Sequence, residues 1–192
     1  MLRNVKTMAQ AAAAAAATLP PTAIARQTHL NDYLAKRPLP CLVLAITRNT
    51  NNNVVCFHAP LTNGRLHATT PVHSCWLEID PEFMKRARAK GRTSDIVELT
   101  CYERMAFGFT TKPHASQTEA TVTFGVLAKR PLRLRVMDGT PRLVGTIGGH
   151  TAIVSRIHAD SYSRWGIPHV KGIYIMGFAT PSGRPVIEYV PR

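Results

Sequence analysis

DIVELTCYERMAFG, residues 95–108, is the one helix-like run set between two groups of strand-like runs, and its reading decides the fold. Asp95 followed three residues later by Glu98 predicts a capping-box start, and Gly108 tolerates the left-handed conformation that closes a helix. At about 100° per residue, Ile96, Leu99, Ala106 and Phe107 fall on one side of such a helix, with Glu103 among them. A carboxylate set among apolar side chains must be paired, hydrogen-bonded or shifted in pKa. Glu103 therefore reads as a structural carboxylate, satisfied by an arginine or by backbone amides, rather than as a catalytic acid. The adjacent Arg104, about a quarter-turn away, is its partner candidate or faces another segment.

Ahead of that helix the chain reads as strands. Residues 41–47 and 54–59 are apolar, β-branched runs separated by RNTNNN, whose asparagines accept turn conformations, so they predict a hairpin. Their near-continuous hydrophobicity predicts burial on both faces. Residues 60–71 read as a loop and 72–79 as a third strand carrying Trp76. PEFMKRARAKGR, residues 81–92, reads as a short basic helix that opens on proline and closes on Gly91.

Beyond a polar loop at 110–119 the chain is almost wholly strand-like. Residues 121–129, 132–136, 143–147, 152–159, 172–179 and 186–190 each carry a strand pattern, with turns at Asp138-Gly139 and through Pro181, Ser182 and Gly183. In 132–136 leucine and valine alternate with Arg133 and Arg135, giving one core face and one basic face. The count of about nine strands and two helices predicts a mainly β (α+β) fold. The architecture expected is a single antiparallel β-sandwich or partly open barrel, with a helical insertion and an N-terminal arm.

The domain plan divides at residue 40. Residues 1–28 hold Arg3, Lys6, Arg26 and an alanine run at 11–17, with no acidic residue before Asp32. Such a segment reads either as a mitochondrial presequence or as a retained arm that becomes helical on a partner, and the arm is favoured. Residues 31–40 read as a proline-punctuated linker carrying Lys36 and Arg37, so 1–40 is arm and linker and 41–192 is one β-rich globular domain.

A formal net charge of +13 across 192 residues points to an acidic partner: nucleic acid, an anionic membrane surface or an acidic protein polymer. The cations concentrate in two groups. Lys85, Arg86, Arg88, Lys90 and Arg92 lie on the short helix, and Lys129, Arg130, Arg133, Arg135 and Arg142 on or beside the second-half hairpin. With 7% aromatic residues, base stacking on RNA is not advertised. No apolar run approaches the roughly 20 residues of a membrane span.

Metal and nucleophile chemistry find no motif. Cys41, Cys56, Cys75 and Cys101 stand singly in apolar runs and read as small buried hydrophobes with free thiols. His58, His67, His73, His114, His150, His158 and His169 show no metal-binding spacing, and Ser155, Ser161 and Ser163 lack a nucleophile elbow. Gly148-Gly149 reads as a turn or bulge rather than a phosphate cradle. No cofactor or metal is implied.

Several segments together resemble a known family. RNTNNNVVCF (48–57), PVHSCW (71–76), ELTCYERMAFG (98–108), the IPHV run from Ile167 and the closing EYVP (188–191) are similar to the domain-of-unknown-function 4833 family. The most specific element is ELTxxERxxFG, and the resemblance spans most of 41–192. It implies a β-rich single domain and no particular reaction or ligand. Related chains occur in bacteria and flagellated protists, and Glu103 and Arg104 correspond to the charged pair of the family motif.

The functional expectation is a non-catalytic structural or binding subunit that docks its basic surface and arm on an acidic polymer. The favoured polymer is tubulin in the microtubule wall of a flagellar axoneme, which places the protein in the cytoskeleton of a cilium or flagellum. The alternatives are a subunit of the mitochondrial ribosome or another mitochondrial complex, with RNA as partner, and an enzyme or small-ligand barrel built around Glu103. The last predicts an enclosed polar pocket at Glu103.

Overall fold

The structure is a computed structural model that describes residues 19–127, 130–164 and 167–192. The two apolar runs fold as β1 (Leu42–Arg48) and β2 (Asn51–His58), an antiparallel pair with Ala45 opposite Cys56. Both faces of this pair are buried, as their hydrophobicity demands. Leu44, Ile46, Val55 and Phe57 enter the main core, while Ala45, Val54 and Cys56 join a second cluster on the opposite face with Leu30.

The chain then makes a two-stranded hairpin, β3 (Leu61–Thr62) and β4 (Arg65–Leu66), and lays β5 (His73–Leu77) against β2. The chain's first described helix is α1 (Pro21–Lys36), and after β5 come α2 (Pro81–Ala89), β6 (Ile96–Val97), α3 (Cys101–Ala106), β7 (Phe109–Pro113) and β8 (Glu119–Phe124). After a 3-10 turn at Gly125–Leu127 follow β9 (Pro131–Met137), β10 (Thr140–Ile147), β11 (His150–Arg164), β12 (Ile167–Ala179) and β13 (Pro185–Pro191).

All but β3 and β4 belong to one 11-stranded sheet, in the order β6-β5-β2-β1-β11-β10-β9-β8-β7, with β12 also on β11 and β13 on β12. β11 is the branch point. One edge pairs with β10 early (Leu143 opposite Val154) and with β1 later, in parallel (Ala45 opposite Arg156), while its other edge follows β12 throughout. A register shift between Val154 and Arg156 falls where the partner changes, because an extra residue lets one edge serve two strands. The sheet curls until β2 meets the far end, with the Phe57 ring 4.9 Å from Phe124 and 5.6 Å from Phe109. The result is a curled half-barrel, so the partly open barrel holds, with one parallel pairing that alternation along the chain does not reveal.

Several boundaries move. The helix expected over 95–108 is only α3, because the capping box sits at Thr100 and Glu103, not at Asp95 and Glu98. Asp95 instead accepts from the Tyr33 hydroxyl at 3.1 Å and pairs with Arg37, tying the sheet edge to α1. The polar stretch expected as a loop contains β7, since Thr110, Thr111 and Lys112 fill an edge strand beside β8. β8 ends at Phe124, short of the predicted 129; Ala128 and Lys129 lie outside the described residues.

Residues 31–36, read as linker, belong to α1. Pro21 opens that helix at a position whose N–H needs no partner, and Ala23, Gln27 and Leu30 recur at helical spacing as its buried stripe. The stripe escapes a hydrophobicity scan because Gln27 occupies its centre, donating from Nε2 to the Thr47 hydroxyl at 2.8 Å. The arm's alanine run, with Arg3 and Lys6, lies outside the described residues.

Candidate functional site

Where β1 and β2 leave the main core, Ile46 and Val55 wall one side of a cavity of about 350 Å³, with Trp76 from β5 and Phe107 after α3 beside them. Ala159, Ser161 and Val170 of the β11–β12 hairpin close the other side, and Arg48, Glu103 and Arg192 bring charge to its rim. The lining is mostly apolar with a few polar groups, the usual make-up of a small-molecule site.

The polar groups are held from outside the cavity. Arg48 projects from the end of β1, its guanidinium 4.6 Å from the centre of the Trp76 ring and its Nε donating to Asn51 Oδ1 at 3.3 Å. Burial pulls the Arg48 pKa down, and Glu103 partly restores it, yet the two side chains form no ion pair. Glu103 is fixed by its cap: its Oε2 accepts from the Thr100 amide at 2.7 Å and from the Thr100 hydroxyl at 2.8 Å. Desolvation alone would raise the Glu103 pKa; the Thr100 bonds, the nearby Trp76 N–H and Arg48 outweigh it and hold the carboxyl below its ordinary value. Arg192 Nη2 donates to the Val126 carbonyl at 2.7 Å, closing the rim.

Two polar atoms make no well-formed hydrogen bond. Trp76 Nε1 lies near Glu103 without a well-formed hydrogen bond, and Ser161 Oγ has no partner; both are buried. Each belongs to a residue lining the cavity. A buried donor left unpaired costs about 1–3 kcal/mol, so these atoms mark where a ligand group or ordered water belongs.

The sequence pointed to Glu103 and not to its neighbours. Glu103 and Arg104 do not pair with each other: Arg104 Nη2 approaches Glu98 at 3.6 Å and its Nε donates to the Leu99 carbonyl at 3.1 Å. Arg48, Trp76, Ser161 and Arg192 went unrecognised as site residues, being scattered over strands that only the curled sheet brings together.

The basic residues divide. On α2, Lys85, Arg86, Arg88 and Lys90 are exposed, the helix buries none of its residues, and Arg86 lies 5.0 Å over the Phe83 ring. Arg92 pairs with Glu78, Arg130 with Glu188 at 2.7 Å and Arg135 with Glu119 at 2.7 Å. Arg133 is exposed and Arg142 half-buried, while Lys129 is outside the described residues. The first group follows β5 and the second lies on or beside β9 and β10, with β2, β1 and β11 between them in sheet order. In the arm, Arg26 is committed to α1's anchorage, donating to Asn52 and to the Asn49 carbonyl at 2.9 Å; Lys36 is exposed and Arg37 pairs with Asp95.

Of the cysteines, Cys56 and Cys75 are buried and Cys41 is half-buried, but Cys101 is exposed, because it opens α3 at the surface. Among the described residues His158 is the one fully buried histidine, bonded through Nδ1 to Thr47 at 2.9 Å and through Nε2 to Asn49 at 2.6 Å. Among the described residues no group of three histidine, cysteine or acidic side chains is placed to hold a metal ion, and no helix is long and apolar enough to cross a membrane.

With this geometry in view, the comparison that bears on it is a family match: the model for Domain of unknown function (DUF4833) covers residues 44–189. The chain belongs to the DUF4833 family. No curated protein and no solved structure matches it. The segments similar to DUF4833 converge on the cavity: RNTNNNVVCF supplies Arg48, Thr50 and Val55, PVHSCW supplies Trp76, ELTCYERMAFG supplies Glu103 and Phe107, and the IPHV run supplies Val170.

Proposed function

We propose that this domain binds a compact, largely apolar small molecule carrying a carboxylate or carbonyl, held in the cavity between Trp76 and Glu103. The observation that carries the reading is that two buried polar atoms on the walls of one cavity make no well-formed hydrogen bond: Ser161 Oγ, and Trp76 Nε1 beside the Glu103 carboxylate. An acceptor on the ligand satisfies the indole N–H and sits beside the Arg48 guanidinium, while Ile46, Val55 and Phe107 take its apolar body. Glu103, held ionised, repels a misplaced anion and accepts from any donor the ligand carries. Among the described residues no histidine or cysteine lines the cavity to activate its Ser161 hydroxyl, which favours binding over catalysis.

The test follows the Trp76 indole N–H by NMR, assigned by Trp76→Phe, during titration with aromatic and aliphatic monocarboxylates of up to about a dozen heavy atoms. Saturable shifts abolished by Arg48→Met support the reading. Shifts that survive Arg48→Met, or no shift with any member of the series, oppose it.

A second reading is docking on an acidic polymer such as the microtubule wall. It is favoured by α2, whose Lys85, Arg86, Arg88 and Lys90 are exposed and make no ion pair among the described residues. Co-sedimentation of the protein with microtubules, lost when those four cations become glutamine and falling with salt, supports this reading. Unchanged sedimentation of that variant removes it.

A further inference from the structure

A second cavity lies at the branch point of the sheet, and its charge is unbalanced. Arg156, on β11 just past the register shift, stands where the strand exchanges β10 for β1. Its Nε is sealed from solvent without a hydrogen-bond partner, and its Nη1 reaches only its neighbour's carbonyl, Ser155 O, at 3.1 Å. No carboxylate pairs with it among the described residues. Burial draws its pKa down, opposed only by the Cys56 thiol, itself pushed up to about 12 by burial and so neutral. Arg156 is half-buried, with its Nε shut off from water, and a guanidinium so placed without a counter-charge gains from any anion that reaches it.

The space for that counter-charge is present. Arg156 and Arg142 line the same cavity of about 370 Å³, together with Thr140, Ser155 and Gly183. Arg142 is on β10, where Leu143 faces Val154, so the two arginines project from neighbouring strands near the same point, and Arg142 also lacks an ion pair among the described residues. Arg156 additionally borders a smaller cavity of about 70 Å³ beneath α1.

We propose that Arg156 and Arg142 form an anion site for a small phosphate-bearing ligand, distinct from the Trp76–Glu103 cavity. Two guanidinium groups match the charge of a phosphate dianion, whereas a single carboxylate would balance only one of them. The Thr140 hydroxyl supplies a further donor, and the remaining volume accommodates an organic group beyond the phosphate.

The experiment uses the full chain and inorganic phosphate and pyrophosphate as probes, with calorimetric titration and thermal unfolding against chloride at equal ionic strength. Saturable stabilisation beyond the chloride control is expected. Arg142→Gln should weaken it about tenfold without changing the unfolding temperature in phosphate-free buffer. Arg156→Met should abolish it without lowering the unfolding temperature in phosphate-free buffer, because the charge removed has no carboxylate partner among the described residues. Arg48→Met should bind phosphate as the natural chain does, which separates this site from the first cavity. Lys85→Gln/Arg88→Gln should likewise be unaffected, which separates it from attraction to the general positive charge. Stabilisation no greater than chloride gives, or equal binding by Arg142→Gln, overturns the proposal; should Arg156→Met fail to fold, Arg142→Gln decides alone.

Discussion

The Arg48 guanidinium rests over the Trp76 ring, 4.6 Å from its centroid, and so ties the end of β1 to β5 across the intervening β2. The two residues divide the work between fold and site. Trp76 is buried in the main core, and Trp76→Ala should destabilise the domain by about 3–5 kcal/mol in urea titration. Arg48→Met keeps the apolar stem and loses the cation–π contact, about 0.5–2 kcal/mol. Equal losses for the two variants would mean that Arg48 is structural rather than a binding group.

Glu103 links local structure to pH. Its folded pKa is depressed, so its carboxylate stabilises the fold above the unfolded value of 4.5, and that stabilisation fades as pH falls through the folded pKa. Glu103→Gln should lower stability at pH 7 and flatten the acid limb of the stability curve. Thr100→Ala, which removes the reciprocal cap, should cost about 0.5–2 kcal/mol at neutral pH. An acid limb unchanged by Glu103→Gln would show that Thr100 does not hold the carboxylate ionised.

His158 should dominate a milder acid transition. Burial lowers its pKa from 6.5 to about 4, an effect eased by Asp160 and reinforced by Arg26, and its two ring nitrogens are occupied by Thr47 and Asn49. The neutral ring is favoured in the folded state, so its stabilisation is complete above 6.5 and is lost as pH falls toward 4. The loss expected across that window is on the order of 2–3 kcal/mol. Unfolding measured from pH 7.5 to 4 should show this slope in the natural chain and a flatter one in His158→Gln; identical slopes would assign the transition to other groups.

The cysteines differ in what surrounds them. Cys101 is exposed at the start of α3, whereas Cys56 is buried opposite Cys75, with its thiol pushed up to about 12. An aromatic disulfide reagent should therefore modify Cys101 within the native protein and reach Cys56 only after unfolding. Modification of both at similar rates would mean that the cluster beneath α1 opens readily.

What the sequence makes legible is local. The double-sided burial of β1 and β2, the β-rich class, the basic α2 and the prominence of Glu103 follow from composition and periodicity within single segments. The start of α3 was displaced because Asp95 with Glu98 and Thr100 with Glu103 both satisfy the capping-box spacing, and only the fold shows Asp95 facing Tyr33 and Arg37. α1 was hidden by Gln27, a polar residue that is buried only because Thr47 and His158 complete its network. The cavity depends on long-range pairings that have no period: Ser161 and Val170 become its wall because they face each other across β11 and β12.

Gly177 tests the branch point itself. It faces Val154 on β11, one step before the register shift, and a Cβ there would lie 2.1 Å from the Ile153 carbonyl oxygen and 2.9 Å from Ile147 Cδ1. The oxygen belongs to a strand paired on both edges and cannot retreat, so Gly177→Ala must displace β12 from β11. The expected loss is about 2–4 kcal/mol, read by chemical denaturation. Gly145→Ala supplies the contrast: its Cβ would meet Leu132 Cδ2 at 2.4 Å, the end of a side chain that can change rotamer, and the expected loss is under about 1.5 kcal/mol. A Gly177 variant no less stable than the Gly145 variant would mean that β12 can slide along β11. The close approach that lets one strand serve β10, β1 and β12 would then not be what fixes the curl of the sheet.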